Sequence, residues 1–92
     1  MTARPKIKTK TVLVADDTAF VRDRFKAAIE GAGHQAFTAQ TGPELLGRVR
    51  DEVKHLDLIV LDLRLPQGNG VALLRAIRKI AQEKPPAVMV FS

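Results

Sequence analysis

Two kinds of hydrophobic pattern alternate along this chain. Short, nearly unbroken apolar runs occupy Thr11–Ala15, residues 58–61 and Ala87–Phe91. Each is too short for a helix, rich in strand-favouring side chains, and continuous enough to suggest burial on both faces of a sheet. Between them lie stretches with helical spacing. Val21, Phe25, Ala28, Ile29 and Ala32 form one stripe and predict a first helix over about residues 18–32. Leu45, Leu46, Val49 and Val53 predict a second over about 41–53, and Leu73, Leu74, Ile77, Ile80 and Ala81 a third. Gln35–Ala39 is shorter-ranged and more polar, which fits an edge strand.

Punctuation agrees with this division. Asp17 or Thr18 can cap the first helix, and Gly33 suits the left-handed residue that ends it. Thr41-Gly42-Pro43-Glu44 reads as a helix start with proline near the first helical position. Pro66 and Gly68 mark a loop over residues 63–69, and Asn69 can cap the third helix. Pro85-Pro86 stops that helix and turns the chain into the last run. The order β-α-β-α-β-α-β predicts an α/β, flavodoxin-like parallel sheet of four strands and three helices.

Composition then narrows the class. Ninety-two residues suffice for one domain, and a hydrophobic content of 46% is ordinary for a packed one. With no cysteine, neither a disulfide nor a thiolate metal site is available. No segment is apolar enough to span a membrane or resemble a signal peptide, so the expected location is cytoplasmic. The net charge of +5 suggests nucleic acid until it is mapped. Four of the 15 basic residues (Arg4, Lys6, Lys8 and Lys10) stand in the first ten positions, which hold no acid; the rest of the chain has 11 basic and 10 acidic residues. The division is therefore a basic leader over 1–10 and a nearly neutral domain over 11–92. Four aromatics, all Phe, offer little for base stacking, which argues against nucleic acid as the partner.

Chemistry gathers where the apolar runs end. The first enters Asp16-Asp17, the second Asp62 and the third Ser92. In an open parallel sheet those carboxyl ends lie side by side at the usual ligand position. Three carboxylates crowded together raise the pKa of at least one unless a cation joins them. Mg²⁺ suits an all-oxygen set, and aspartate is a covalent phosphoryl acceptor. His34 and His55 stand beside strand starts, away from this end.

Taken together, these segments resemble the receiver domain of bacterial response regulators. Residues 14–22, VADDTAFVR, resemble that family's acidic-pair segment. Residues 61–70, LDLRLPQGNG, resemble its phosphoacceptor segment, with Pro66 four positions and Gly70 eight positions after Asp62. Residues 88–92, VMVFS, resemble the strand ending in a switch hydroxyl, 30 positions after Asp62. The resemblance implies that Asp62 is the phosphoacceptor and that Asp16, Asp17, Asp62 and the Arg64 backbone carbonyl serve Mg²⁺. Ser92 would contact the phosphoryl group. A histidine kinase or phosphotransfer protein would be the donor, and the module would signal rather than act as an enzyme on a separate substrate.

Against the family's five strands and five helices, ordered 2-1-3-4-5, the chain reads as truncated after the fourth strand, giving order 2-1-3-4. The later helices, the fifth strand and the phosphate-contacting lysine after it have no counterpart. Lys10 and Lys84 belong to the wrong end of the sheet, whereas Arg64 could neutralise the pocket or reach Asp16. An open fourth strand and a bare sheet face predict a homodimer through Ala87, Val88, Met89, Val90 and Phe91. The alternative is a non-phosphorylated, receiver-like dimerisation or scaffold module.

Overall fold

Residues 8–91 are described by the computed structural model. They form β1 (Thr11–Ala15), α1 (Ala19–Gly31), β2 (Gln35–Ala39), α2 (Gly42–Glu52), β3 (Leu58–Asp62), α3 (Gly70–Ile80) and β4 (Ala87–Phe91). The four strands make one parallel sheet in the order β2-β1-β3-β4. This is the α/β, flavodoxin-like arrangement expected from the alternating pattern. Every residue of β1 is buried, as its unbroken apolar run implies, whereas β2 and β4 lie at the edges.

Side-chain alternation along the strands builds two cores. Leu13, Ala15, Ile59 and Leu61 face α2 and α3, where Leu45, Val49, Leu73 and Ile77 close the larger core. Val12, Val14 and Val60 face the other way, toward Phe25 and Ile29 of α1. The predicted α1 stripe is correct in phase, and its burial is only partial. No residue of α1 is fully buried, and Ala28 and Ala32 are exposed. The cause is incomplete cover: α1 packs on β1 and β2, and no described helix lies beside it over β3 and β4.

The helix ends follow local chemistry. Asn69 Oδ1 accepts hydrogen bonds from the N–H groups of Val71 (3.0 Å) and Ala72 (3.2 Å), so it caps α3 as its sequence position suggests. Thr41 Oγ1 accepts from Glu44 N–H at 3.3 Å to start α2. Thr18 occupies the cap position of α1 but makes no side-chain cap bond. Gly33 has φ +89°, the left-handed conformation that glycine adopts without a Cβ penalty.

At the amino end of the sheet, Asp57 ties three strands together. Its Oδ2 accepts from Thr11 N–H at 2.8 Å, and its backbone carbonyl accepts from Ala87 N–H at 3.0 Å. The Thr11 N–H bond holds the Asp57 carboxyl below its ordinary value of 3.8, and the charges of Lys10, Lys84 and Lys8 add to the effect. A lowered folded-state value means stability that is present above 3.8 and lost as pH falls through the lower value. Asp57→Asn should therefore cost about 1 kcal/mol at neutral pH. Urea unfolding of wild type and variant should converge at strongly acidic pH; a constant gap across the acid range would contradict this assignment.

Candidate metal centre and phosphoacceptor site

β1 and β3 are neighbours in parallel register, with Ala15 opposite Leu61. One step further along, Asp16 and Asp62 stand at the adjacent carboxyl ends. From β1 the chain passes to β2 on one side, while β3 lies on the other, so this is where the strand order reverses. Asp16, Asp17 and Asp62 each place a carboxylate oxygen within 4.8 Å of the others. Asp16 and Asp62 are each 2% exposed, whereas Asp17 is open to solvent. The predicted acidic set therefore converges.

Backbone bonds fix two of these carboxylates. Asp16 Oδ1 accepts from Thr18 N–H at 2.7 Å, which makes Asp16, rather than Asp17 or Thr18, the side chain that tethers the start of α1. Asp62 Oδ1 accepts from Arg64 N–H at 2.9 Å. Arg22, which sequence reasoning passed over, donates from Nη1 to the Asp16 backbone carbonyl at 2.9 Å and braces the acidic turn from one helical turn into α1. Only its spacing from Asp16 hinted at this, and such spacing is common.

Burial raises the Asp16 carboxyl above its ordinary 3.8. The Thr18 N–H opposes the shift, and the neighbouring Asp62 carboxylate adds to it. The surroundings of Asp16 thus disfavour its ionised form. Arg22 bonds only the Asp16 backbone carbonyl, and Arg64 Nε lies 3.7 Å from Asp62 Oδ1. The Arg64 side chain is 76% exposed, so this pair is solvent-screened and weak. Of the two sequence options for Arg64, the structure shows pairing with Asp62. Lys84 bonds the Lys54 carbonyl, and Lys10 lies beside His34 and Asp57, both at the opposite end.

Three clustered carboxylates, two of them buried, are the all-oxygen donor set that a hard divalent cation prefers. Mg²⁺ fits these residues. Ser92, the fourth predicted member, lies outside the described residues, as do Arg4 and Lys6 of the basic leader. Its neighbour Phe91 is described: its carbonyl accepts from Leu63 N–H at 2.9 Å, and its ring lies 5.7 Å from that of Phe25. The end of β4 is thereby tied to the segment that follows Asp62.

A parallel α/β sheet with an acidic cluster at its switch point defines a small class of signalling and nucleotide-handling domains. Similarity to known proteins narrows it. The family model for the response regulator receiver domain matches residues 12–92, and the chain belongs to that family. It is thus a receiver domain of two-component signalling. KdpE, the KDP operon transcriptional regulatory protein of Escherichia coli K12, is 35% identical over 68 residues, covering 74% of this chain and 29% of KdpE. Among solved structures, the non-phosphorylated HemR receiver domain from Leptospira biflexa superposes with a TM-score of 0.76 at 29% identity. The receiver domain of NtrC4, solved as a beryllofluoride-activated dimer, gives the same score and identity. Each of these two matches covers 89% of this chain and 64% of the solved one. The chain spans less than a third of KdpE and just under two thirds of those receivers.

Receiver domains bind Mg²⁺ at an acidic pocket, and the aspartate cluster here has that form. The raised Asp16 value has a definite sign: its stabilising contribution is present below 3.8 and lost as pH rises through the higher folded value. Once Asp16 is ionised, burial and the neighbouring Asp62 carboxylate both oppose its charge in the metal-free site. Asp16→Asn, which retains the oxygen that accepts from Thr18, should raise the metal-free melting temperature by about 4–8 °C per kcal/mol of repulsion relieved. It should also shrink the further rise that Mg²⁺ gives wild type. A metal-free melting temperature that falls in the variant would refute that opposition.

Proposed function

We propose that this chain is a two-component receiver module that accepts a phosphoryl group on Asp62 with Mg²⁺ held by Asp16, Asp17, Asp62 and the Arg64 backbone carbonyl. The observation that carries this reading is the convergence of the three carboxylates at the ends of β1 and β3. Asp62 ends β3, buried but at the rim, with its Oδ1 engaged by Arg64 N–H. An unengaged carboxylate oxygen can attack phosphorus in line. The O–P bond forms as the donor's N–P bond to imidazole breaks, and the departing imidazole nitrogen takes up a proton. Mg²⁺ supplies charge neutralisation for the phosphoryl oxygens and the carboxylates.

The donor in this reading is a phosphohistidine of a histidine kinase or phosphotransfer protein, the partners with which receiver domains interact. Ser92 contacts the phosphoryl group, as the sequence resemblance implies. The module is a signalling element rather than an enzyme with a separate substrate. A cytoplasmic location accords with that role, and among the described residues no helix is long and apolar enough to cross a membrane. Incubation with Mg²⁺ and acetyl phosphate should add one phosphoryl mass to the intact protein, and Asp62→Asn should abolish it. An unmodified wild type that still binds Mg²⁺ would favour the non-phosphorylated scaffold reading instead.

The same reading includes a homodimer through β4 and the uncovered sheet face. Ala87, Val88, Met89, Val90 and Phe91 form a strand that, among the described residues, is paired on one side only, to β3. Met89 is 49% and Val90 45% exposed, on opposite faces of the sheet. Pairing of two β4 edges about a twofold axis would cover both the unpaired backbone and these side chains. The NtrC4 receiver, at 29% identity, was solved as a dimer. Sedimentation equilibrium should show concentration-dependent dimers that Met89→Lys weakens by about 10-fold, equivalent to ~1.4 kcal/mol. A wild type that stays monomeric at high micromolar concentration would exclude the dimer.

A further inference from the structure

The loop that leaves Asp62 is anchored from a direction the sequence does not disclose. Pro66 presents its carbonyl to the N–H of Gly42, the first residue of α2, at 3.0 Å. Gly42 is buried, and a Cβ placed on it would stand 2.6 Å from the Gln67 backbone oxygen. No real Cβ tolerates that approach, and the obstructing atom belongs to a peptide group rather than to a flexible side chain. Gln67 itself has φ 58°, a left-handed conformation in a residue that carries a Cβ. Such a conformation persists where the surroundings over-determine it. The contact with Gly42 is part of those surroundings.

The rest of the loop is equally confined. Leu65 is buried in the larger core and its N–H bonds the Asp62 carbonyl at 3.1 Å. At Gly68 and Gly70 a Cβ would also meet close neighbours, but these are the ends of the Leu73 and Leu63 side chains, which can move. Gly42 is the position where the loop backbone rests directly on another element. Only two residues separate that contact from Arg64, whose N–H is bonded to Asp62.

We propose that Gly42 is a positioning residue for the metal centre. Its N–H bond to Pro66 and its missing side chain seat the β3–α3 loop, and so set where the Arg64 carbonyl stands relative to the three carboxylates. This inference rests on the Mg²⁺ reading above, in which that carbonyl is a ligand. It makes the amino end of α2 a physical neighbour of the loop that carries Arg64.

Gly42→Ala tests this cleanly, because Gly42 does not have a positive φ and alanine favours a helix over glycine. Any loss therefore arises at Gln67. Gly47→Ala is the matched control: it lies on the same helix with nothing within 4 Å of an added Cβ. Calorimetric titration should show Mg²⁺ affinity weakened about 10-fold in Gly42→Ala, the scale typical of groups that orient a metal ligand, and unchanged in Gly47→Ala. A merely structural role would lower the metal-free melting temperature and leave the affinity alone, which would overturn the proposal.

Wild-type amide spectra give a second reading that survives a misfolded variant. Saturating Mg²⁺ should shift the amides of Asp62 and Arg64 and, through Pro66, that of Gly42. Shifts at 62 and 64 with none at 42 would overturn the positioning role alone. No shift at any of the three would overturn it together with the metal site.

Discussion

Parallel pairing of β1 with β3 is the constraint on which the rest of this molecule depends. It brings two strands remote in sequence to a common end, and places Asp16 beside Asp62 by register alone. Of the apolar residues that hold the register, Val12 to Ala15 and residues 59–61 are almost completely buried, and Leu58 is partly buried. Hydrophobic burial thereby enforces a concentration of negative charge that the carboxylates would not choose. Burial is the main cause that raises the Asp16 carboxyl, and the Asp62 carboxylate beside it adds to the shift. A site built this way is poised for a hard cation, because only added positive charge can relieve it without unpairing the strands.

The polar connections around the site serve the same end. Asp16 bonds the start of α1, Arg22 reaches back from α1 to the Asp16 carbonyl, and Asp62 bonds the segment that follows it. Each of Asp16 and Asp62 is thus fixed by the segment that its own strand leads into. The β4 end joins through the bond from Leu63 to Phe91 and the packing of Phe91 on Phe25. Together these contacts link α1, β3 and β4 around one pocket. Under the proposed function, these bonds supply the positioning on which phosphoryl transfer mainly depends.

Much of this was legible in the chain because it rests on short-range patterns. The runs at 11–15, 58–61 and 87–91 announced strands, and the position of Asp16, Asp17 and Asp62 at their ends announced a pocket. Asn69 and Thr41 revealed their helix caps by position and type. Legibility failed where tertiary context decides. The apolar stripe of α1 has the right phase, yet how deeply it is buried depends on what covers the sheet beside it, which periodicity cannot report. The start of α1 is tethered by Asp16, not by the two residues nearer the helix, because the register of β1 aims that carboxylate at Thr18. The approach of Gly42 to Gln67 joins residues 25 positions apart in a loop-to-helix contact, and nothing in a one-dimensional pattern marks it.

Paramagnetic substitution reports whether the three carboxylates share one divalent cation. Mn²⁺ prefers the same oxygen donors as Mg²⁺ and broadens amide resonances near it. Sub-stoichiometric Mn²⁺ should erase the signals of residues 16–18 and 62–64 first, spare those around His34 and Asp57 at the far end of the sheet, and be displaced by excess Mg²⁺. Broadening spread evenly over the exposed acids, or centred away from the ends of β1 and β3, would contradict the account.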